Sequence, residues 1–99
     1  MIKIRKIFFA WQLEKEKAFL EEKARQGMKL IKIGFGSYYF EEGPKEDVVF
    51  QFDFRPLHRK DEEEYLALYT EWEFVQRFSS WYYFRKRKTD EDQSIFSNV

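Results

Sequence analysis

Hydrophobic and polar residues alternate most regularly in the segment from Val48 to Arg55. Strict alternation of this kind is typical of a strand that buries one face. Pro56 follows directly and ends the strand, because proline has no amide hydrogen to donate to a neighbouring strand. The residues predicted to face the core are Val48, Phe50, Phe52 and Phe54, and those predicted to face away are Val49, Gln51, Asp53 and Arg55.

The segment from Leu13 to Gln26 has the three-to-four-residue spacing of an amphipathic helix. Its other positions are rich in Glu and Lys, which is typical of a solvated face. Gly27 is well placed to end this helix in the left-handed conformation. The predicted apolar stripe consists of Leu13, Leu20 and Ala24, with Phe19 beside them.

A second helix is predicted to begin at Asp61. Asp61, followed three residues later by Glu64, resembles a capping box, in which the cap side chain and the later acid satisfy free amide groups. The apolar residues that follow have the spacing of one helix face. They are Tyr65, Leu68, Tyr69 and Trp72.

Five further apolar segments are rich in β-branched and aromatic residues, which favours strands. Two of them close a hairpin around Ser79 and Ser80, and Gly34 and Gly36 bracket another turn. The order of elements is therefore β-α-β-β, a polar loop, and β-α-β-β again. The predicted strands are Ile2–Phe9, Met28–Phe35, Ser37–Glu41, Glu73–Phe78 and Trp81–Lys86.

The second half of the chain repeats the first. The sequence Ser37-Tyr-Tyr-Phe-Glu-Glu is matched by Trp81-Tyr-Tyr-Phe-Arg-Lys, 44 positions later. Other pairs match at an offset of 44 or 46, which indicates a duplicated unit with a small length change near the helix end. These pairs are Phe8 and Phe54, Phe19 and Tyr65, Leu20 and Leu66, Leu30 and Phe74, and Ile31 and Val75.

The duplication predicts an α+β fold. We expect the two β-α-β-β units to form one mostly antiparallel six-stranded sheet, or a partial barrel, with both helices on one face. A single repeat cannot bury its apolar face alone, so residues 1–99 are predicted to form a single domain. We place the first repeat at about 1–43, the second repeat at about 47–88 and a polar tail at 89–99.

Composition excludes several functions. Lys and Arg number 18, and Asp and Glu also number 18, so the basic excess of a dedicated nucleic-acid binder is missing. The chain has no Cys, which excludes disulfides and thiolate metal sites and suits a reducing, cytoplasmic location. No apolar run approaches the ~18 residues of a membrane span, and the charged N-terminus does not fit a signal peptide. We therefore expect no membrane insertion.

Between Phe8 and Lys86 the chain contains, in order, the motifs FFAWQLEKEKAFLEEKARQGMKL, YYFEEG, FQFDFRPL, EEEYLALYTEWEFV and WYYFRK. With these motifs, the run from Phe8 to Phe84 resembles a family of small bacterial domains of unknown function. The similarity rests on the order and spacing of several motifs, and Met28 departs from it where relatives commonly carry an aromatic residue. It implies the fold and no known substrate. A looser likeness links the repeat to duplicated effector-binding domains that hold small organic molecules.

Motifs for catalysis or cofactor binding are weak. His58 is the single histidine and is interpreted as a solvated loop residue, and the Gly34-Phe-Gly-Ser segment as a hairpin turn rather than a phosphate loop. The basic run from Arg85 to Lys88 offers only a weak single-stranded nucleic-acid site. We expect no cofactor, no metal and no enzymatic activity. The weakest alternative is an enzyme in which neighbouring rings raise the pKa of Asp53 so that it acts as a base.

The candidate site is the face of the sheet turned away from the helices. Alternation is predicted to bring rings and a few charges together there, as a small-molecule cleft requires. We rank binding of a small, flat or aromatic ligand first, and a homodimer or other homo-oligomer that uses the same face second. Burial of the rings within the chain stays a further alternative. The residues predicted to bind the ligand are Tyr39, Trp81, Tyr83, Asp53, Arg55 and Arg5.

Overall fold

The computed structural model describes residues 1–88, and the predicted polar tail lies outside that range. Within it, the α+β class and the duplicated β-α-β-β order are confirmed. Neither helix has the length and apolar character that crossing a bilayer requires. The elements are β1 (Ile2–Arg5), α1 (Leu13–Arg25), β2 (Met28–Gly34), β3 (Ser37–Glu42), β4 (Val48–Phe54), α2 (Arg59–Leu66), β5 (Glu73–Phe78) and β6 (Trp81–Arg87), with a 3-10 turn at Ala10–Gln12 before α1.

The strands form two antiparallel three-stranded sheets, not the single six-stranded sheet that we expected. The first sheet has the order β1-β3-β2 and the second sheet has the order β4-β6-β5. Strands β2 and β5 are neighbouring edges, but side chains rather than a backbone ladder join them. The Gln76 amide accepts a hydrogen bond from the Ile33 amide at 2.8 Å and donates one to the Ile33 carbonyl at 2.7 Å. Both edge strands are irregular at this level, at Ile31 and Val75, and such bulges interrupt strand pairing.

The register of the hairpins supports the internal repeat. Leu30 pairs with Phe40 in the first sheet, and Phe74 pairs with Phe84 in the second. The irregular residue that follows, Ile31 or Val75, lies at the same place in both repeats. The matches read from the sequence at an offset of 44 are therefore structural equivalences.

The first strand is shorter than predicted. It ends at Arg5, which pairs with Ser37, whereas Phe54 pairs with the equivalent residue, Trp81. Arg5 is therefore the counterpart of Phe54, and the predicted match between Phe8 and Phe54 is wrong for this strand. The chain leaves the sheet after Lys6, whose amide donates to the Gly36 carbonyl at 3.2 Å.

The helices pack on opposite faces of the second sheet. Leu20 of α1 is buried in one cluster with residues of both repeats, including Tyr38 from the first sheet and Tyr83 from the second. Tyr65 of α2 is buried in a separate cluster with Tyr82 and Phe84. Neighbouring residues of a strand point to opposite faces. Helix α1 therefore packs against both sheets and α2 covers the other face of the second sheet, so the expectation that both helices share one face is wrong.

The second helix differs from its prediction at both ends. It begins at Arg59 and its cap residue is the exposed His58, so the capping box at Asp61 is wrong. It ends at Leu66, and Leu68 is 78% exposed instead of lying on the packed face. The chain turns so that the Tyr69 ring stacks flat on Phe84, with ring centroids 3.8 Å apart. This tertiary contact overrides the helical spacing of the sequence.

Gly27 ends α1 in the predicted left-handed conformation, with φ of 86°. A side-chain carbon added there would lie 3.0 Å from the Gly43 carbonyl oxygen. We therefore expect Gly27→Ala to lower the free energy of unfolding by about 1–2 kcal/mol, because both the backbone conformation and the contact become strained. Urea denaturation measures the change. Gly43→Ala is the control and is expected to stay within about 0.5 kcal/mol of wild type, since nothing lies within 4 Å of its added carbon. Equal losses in both variants would contradict the role of Gly27.

Candidate functional site

A cavity of about 410 Å³ lies between the two sheets, and we call it the aromatic cavity. The segment after β1, the turn between β2 and β3, helix α1 and the hairpin between β5 and β6 all contribute to its wall. Most of the lining side chains are aromatic or aliphatic, with one acidic and one basic side chain among them. The rings on the wall belong to Phe8, Phe9, Phe35, Tyr38, Phe78, Trp81 and Tyr83.

The acidic group of the cavity is Glu16 of α1, which is only 6% exposed. The Tyr38 hydroxyl donates a hydrogen bond of 2.5 Å to its Oε2 atom. The Tyr83 hydroxyl approaches the same carboxylate from β6. Helix α1 thus places one carboxylate between two tyrosines that come from different sheets and different repeats.

Burial changes the acid–base properties of this group. Desolvation raises the pKa of Glu16, and the hydrogen bonds from Tyr38 and Tyr83 offset part of the rise. Burial, together with the nearby carboxylate, also raises the pKa values of Tyr38 and Tyr83. Both hydroxyls therefore stay protonated at neutral pH and act as hydrogen-bond donors.

No basic side chain in residues 1–88 forms an ion pair with Glu16. Lys6 also lines the cavity, but its ammonium group lies over the rings of Phe8 and Phe19, at 5.6 and 5.4 Å from their centroids. Lys17, the next residue of α1, pairs with Glu14 at 3.7 Å. The Glu16 carboxylate is therefore hydrogen-bonded but is not neutralised by a cation.

The second repeat contains the counterpart of this arrangement. Glu62 of α2 corresponds to Glu16 at an offset of 46, and Tyr82 corresponds to Tyr38 at an offset of 44. Here Arg77 forms an ion pair with Glu62, with 2.7 Å between Nη1 and Oε2. An open groove of about 810 Å³ lies beside this pair. The two repeats thus hold the same acid in different electrostatic surroundings.

Only two of the six predicted site residues line the aromatic cavity. Trp81 and Tyr83 both line the aromatic cavity. Tyr39 lies on the opposite face of the first sheet from Tyr38, with the ammonium groups of Lys3 and Lys32 over its ring.

The charged residues of the predicted site lie elsewhere. Arg5 is exposed at the end of β1. Asp53 and Arg55 form an ion pair at 3.0 Å beside α2, where the Tyr65 hydroxyl donates to Asp53 at 2.6 Å. The predicted common face is therefore wrong. Its physical cause is the strand register, which pairs Phe52 with Tyr83 and so places Asp53 on the other side from Tyr83.

Asp53 does not have the properties of the base that we considered. Burial acts to raise its pKa, but hydrogen bonds from Tyr65 and Arg55 outweigh burial and lower the pKa below its ordinary value. Asp53 therefore stays ionised at neutral pH and accepts hydrogen bonds that hold α2 against β4.

Sequence reasoning missed Glu16, although one signal was present. Glu16 lies three residues after Leu13 and four before Leu20, so it occupies the apolar stripe of α1. An acidic residue in such a stripe is either exposed at its margin or buried for a reason. The abundance of Glu and Lys around it favoured the first interpretation.

The buried acid gives a testable pH dependence. The folded-state pKa of Glu16 is raised above its value of about 4.5 in the unfolded chain, so its charge destabilises the fold as pH rises through the folded-state pKa. We expect Glu16→Gln to raise the free energy of unfolding by about 1–2 kcal/mol at about pH 8 and to have a smaller effect at about pH 5. Urea denaturation at the two pH values measures this.

The matched control for this measurement is Glu14→Gln. Its side chain is 90% exposed, so we expect stability close to wild type at both pH values. If Glu16→Gln is less stable than wild type at the higher pH, the ionised carboxylate stabilises the fold and the prediction is wrong.

Within residues 1–88, no cluster of three or more His, Asp or Glu side chains is placed to hold a metal ion. The family model described as "Protein of unknown function (DUF2812)" matches residues 12–99 of the chain. No curated protein and no solved structure is found to match it.

Proposed function

We propose that this chain, which belongs to the DUF2812 family of proteins of unknown function, is a non-catalytic small-molecule-binding or sensing domain. The observation that carries the proposal is the position of Glu16, buried between two tyrosine hydroxyls on the wall of the aromatic cavity. The ligand would lie between Trp81 and the rings of the segment after β1. Its polar group would meet Glu16, Tyr38 or Tyr83.

Three properties of the cavity support binding. Its volume of about 410 Å³ falls in the range that holds small organic molecules. Its wall is mostly apolar with a few polar groups, which is the usual composition of a ligand pocket. A buried carboxylate lowers the stability of the fold unless an opposite charge or further hydrogen bonds compensate it. A ligand that supplies such a group relieves this cost, and the relief adds to its binding free energy.

The polar groups of the cavity are better suited to binding a ligand than to catalysis. The raised pKa values of Tyr38 and Tyr83 keep both hydroxyls protonated, so they orient a ligand as donors. We also place this binding function in the cytoplasm, in keeping with a chain of 99 residues that has no Cys.

A thermal-shift screen of small aromatic compounds, followed by calorimetry, tests the proposal. Compounds that raise the melting temperature of wild type are expected to have a smaller effect on Trp81→Ala, because Trp81 lines the cavity. Tyr39→Ala is the control: it also removes a ring, but one on the far face of the first sheet. Each variant is compared with its own ligand-free melting temperature. If every compound shifts wild type and Trp81→Ala equally, binding in the cavity is refuted.

A homo-oligomeric interaction domain is the second candidate. Three large apolar side chains near the mouth of the cavity are exposed: Ile7, Phe9 and Phe35, the last at 93%. An apolar patch of this kind marks an interaction surface. A dimer that uses it would also close the cavity. Sedimentation velocity is expected to show a dimer that Phe35→Ser weakens, and a wild-type monomer at high micromolar concentration would contradict this second candidate.

A further inference from the structure

We propose that the ligand of the aromatic cavity is an organic cation, an amidine, guanidine or amine carried on a flat apolar body. The cation would meet Glu16 as the Arg77 guanidinium meets Glu62 in the second repeat. This inference rests on the proposed binding function and specifies the class of ligand.

The first step is the equivalence of the two acids. Phe19 packs against Tyr38 in the first repeat, with ring centroids 5.6 Å apart, and Tyr65 packs against Tyr82 in the second, at 4.9 Å. Glu16 and Glu62 each lie three residues before the packed ring of their own helix. The two helices therefore present their acids at the same place relative to the equivalent tyrosines.

The second step is what the second repeat does with its acid. The Arg77 guanidinium donates to the Glu62 carboxylate at 2.7 Å and lies 5.1 Å from the centroid of the Tyr82 ring. It also donates to two backbone carbonyls, at Leu57 and Ser79. The second repeat thus has a site for a planar cation, formed by a carboxylate, the face of a tyrosine ring and carbonyl oxygens. The guanidinium of Arg77 occupies this site.

The third step is the difference in the first repeat. Arg77 pairs with Tyr82 across the β5–β6 hairpin, and the residue that pairs in the same way with Tyr38 is Ile33. Ile33 carries no charge and lines the aromatic cavity together with Glu16. The first repeat therefore keeps the acid and the tyrosine. In place of the arginine it has an aliphatic side chain beside the open volume of the cavity. A cation from solution can occupy that volume.

The fourth step is the energy of such a complex. Two opposite charges in a desolvated site attract each other more strongly than in water. The rings of Phe78, Trp81 and Tyr83 add attraction for a cation that lies over their faces. A neutral molecule of the same shape gains the apolar contact alone, and an anion is repelled by Glu16. Affinity should therefore follow charge in the order cation, neutral molecule, anion.

The inference also predicts how affinity depends on pH. The groups that face Glu16 are the Tyr38 hydroxyl from β3 and the Tyr83 hydroxyl from β6, and Lys6 lines the same cavity from the segment after β1. The cation binds the ionised form of Glu16, so its affinity should fall as the pH drops below the raised pKa of this acid. The affinity of a neutral isostere should not change in that range. Lys6 opposes the incoming charge, and Lys6→Gln should strengthen cation binding.

Calorimetry with three matched probes tests the inference: 2-naphthamidine, which is cationic, its neutral isostere 2-naphthamide, and 2-naphthoate. We expect wild type to bind the amidine roughly ten-fold or more tightly than the amide. Glu16→Gln should remove this preference while it keeps the affinity for the amide. Glu62→Gln changes the equivalent acid of the second repeat and should leave the preference as in wild type. Equal affinity for amidine and amide would overturn the inference but leave the proposed binding function standing.

A second variant tests the same inference by placing a cation of the protein next to Glu16. Ile33→Arg builds the internal cation of the second repeat into the first, and we expect it to lose amidine binding. Ile33→Met is its uncharged control and should keep the preference for the amidine. Amidine binding that survives in a folded Ile33→Arg protein would overturn the inference, as would the lack of any amidine binding to wild type at millimolar concentration. If Ile33→Arg does not fold, the Glu16→Gln comparison decides. The compound screen described above tests the binding function independently of charge.

Discussion

Replacing Phe84 with alanine is expected to lower the free energy of unfolding by about 3–5 kcal/mol. Phe84 is fully buried at 0% exposure in β6, the central strand of the second sheet. Its ring stacks on Tyr69, with 3.8 Å between centroids, and makes an edge-on contact with Tyr65 and a tilted contact with Phe74. Truncation leaves a cavity that these rings can fill only in part, because they come from α2, β5 and the turn between them.

Urea denaturation followed by fluorescence measures this loss. Phe54→Ala is the control, since Phe54 lies on the edge strand of the same sheet and is more than half exposed. We expect it to cost only about 1 kcal/mol. A cost for Phe84→Ala no larger than that of the control would mean that the cluster beneath α2 does not stabilise the fold.

Replacing Arg85 with methionine is the second change with a large expected effect, about 2–4 kcal/mol. The Arg85 side chain reaches from the second sheet to the first, where Nη1 donates to the Leu30 carbonyl at 2.5 Å. Leu30 is buried, so its carbonyl would lose a partner that water cannot easily replace. The other side of the guanidinium binds Glu73, with hydrogen bonds of 3.1 and 3.0 Å.

Glu73→Gln separates the two contributions of Arg85. The Glu73 side chain is 57% exposed, so its ion pair with Arg85 is screened by water, and we expect a loss of less than about 1 kcal/mol. The hydrogen bond from Arg85 lowers the pKa of Glu73, so this small contribution is present at neutral pH and is lost in acid, as pH falls below about 4.5 through the lowered folded-state pKa. If Arg85→Met costs no more than Glu73→Gln, the contact with the Leu30 carbonyl does not join the sheets.

The local features of the fold could be predicted from the sequence. Helix α1, the left-handed Gly27 and the two β-hairpins follow from spacing and turn residues that act within a few positions. The repeat followed from matched motifs. The relation between the sheets could not be predicted, because it depends on strand register and on two side chains, Gln76 and Arg85, that pair with backbone groups far away in the sequence.

The sequence of β6 explains why the faces of this strand were assigned wrongly. Residues 81 to 84 are all aromatic, so this strand has no alternation that distinguishes a buried face from an exposed one. Both faces are in fact buried, Tyr82 and Phe84 against α2 and Tyr83 in the cluster that contains α1. We had assigned Tyr83 to the same side as Asp53, and no pattern within the strand could correct this.

The candidate site was predicted only in part for a related reason. Trp81 and Tyr83 were identified because alternation along the strand brings these rings to one predicted face of the sheet. Glu16 was not, because a glutamate within a helix rich in Glu and Lys resembles many solvated residues. Its burial depends on Tyr38 and Tyr83, which approach it from two different sheets. Such a convergence becomes visible only when the strands are in place.

The contact between β2 and β5 has a consequence for local opening of the fold. Each hairpin is held by backbone hydrogen bonds with one irregularity, whereas the hydrogen bonds between the two sheets come from the side chains of Gln76 and Arg85. Transient opening begins where the fewest bonds must break. We therefore expect local opening to begin between β2 and β5, where side-chain hydrogen bonds replace a backbone ladder. Ile33 and Phe78 also line the aromatic cavity, so we expect the same opening to widen the route by which a guest molecule would enter.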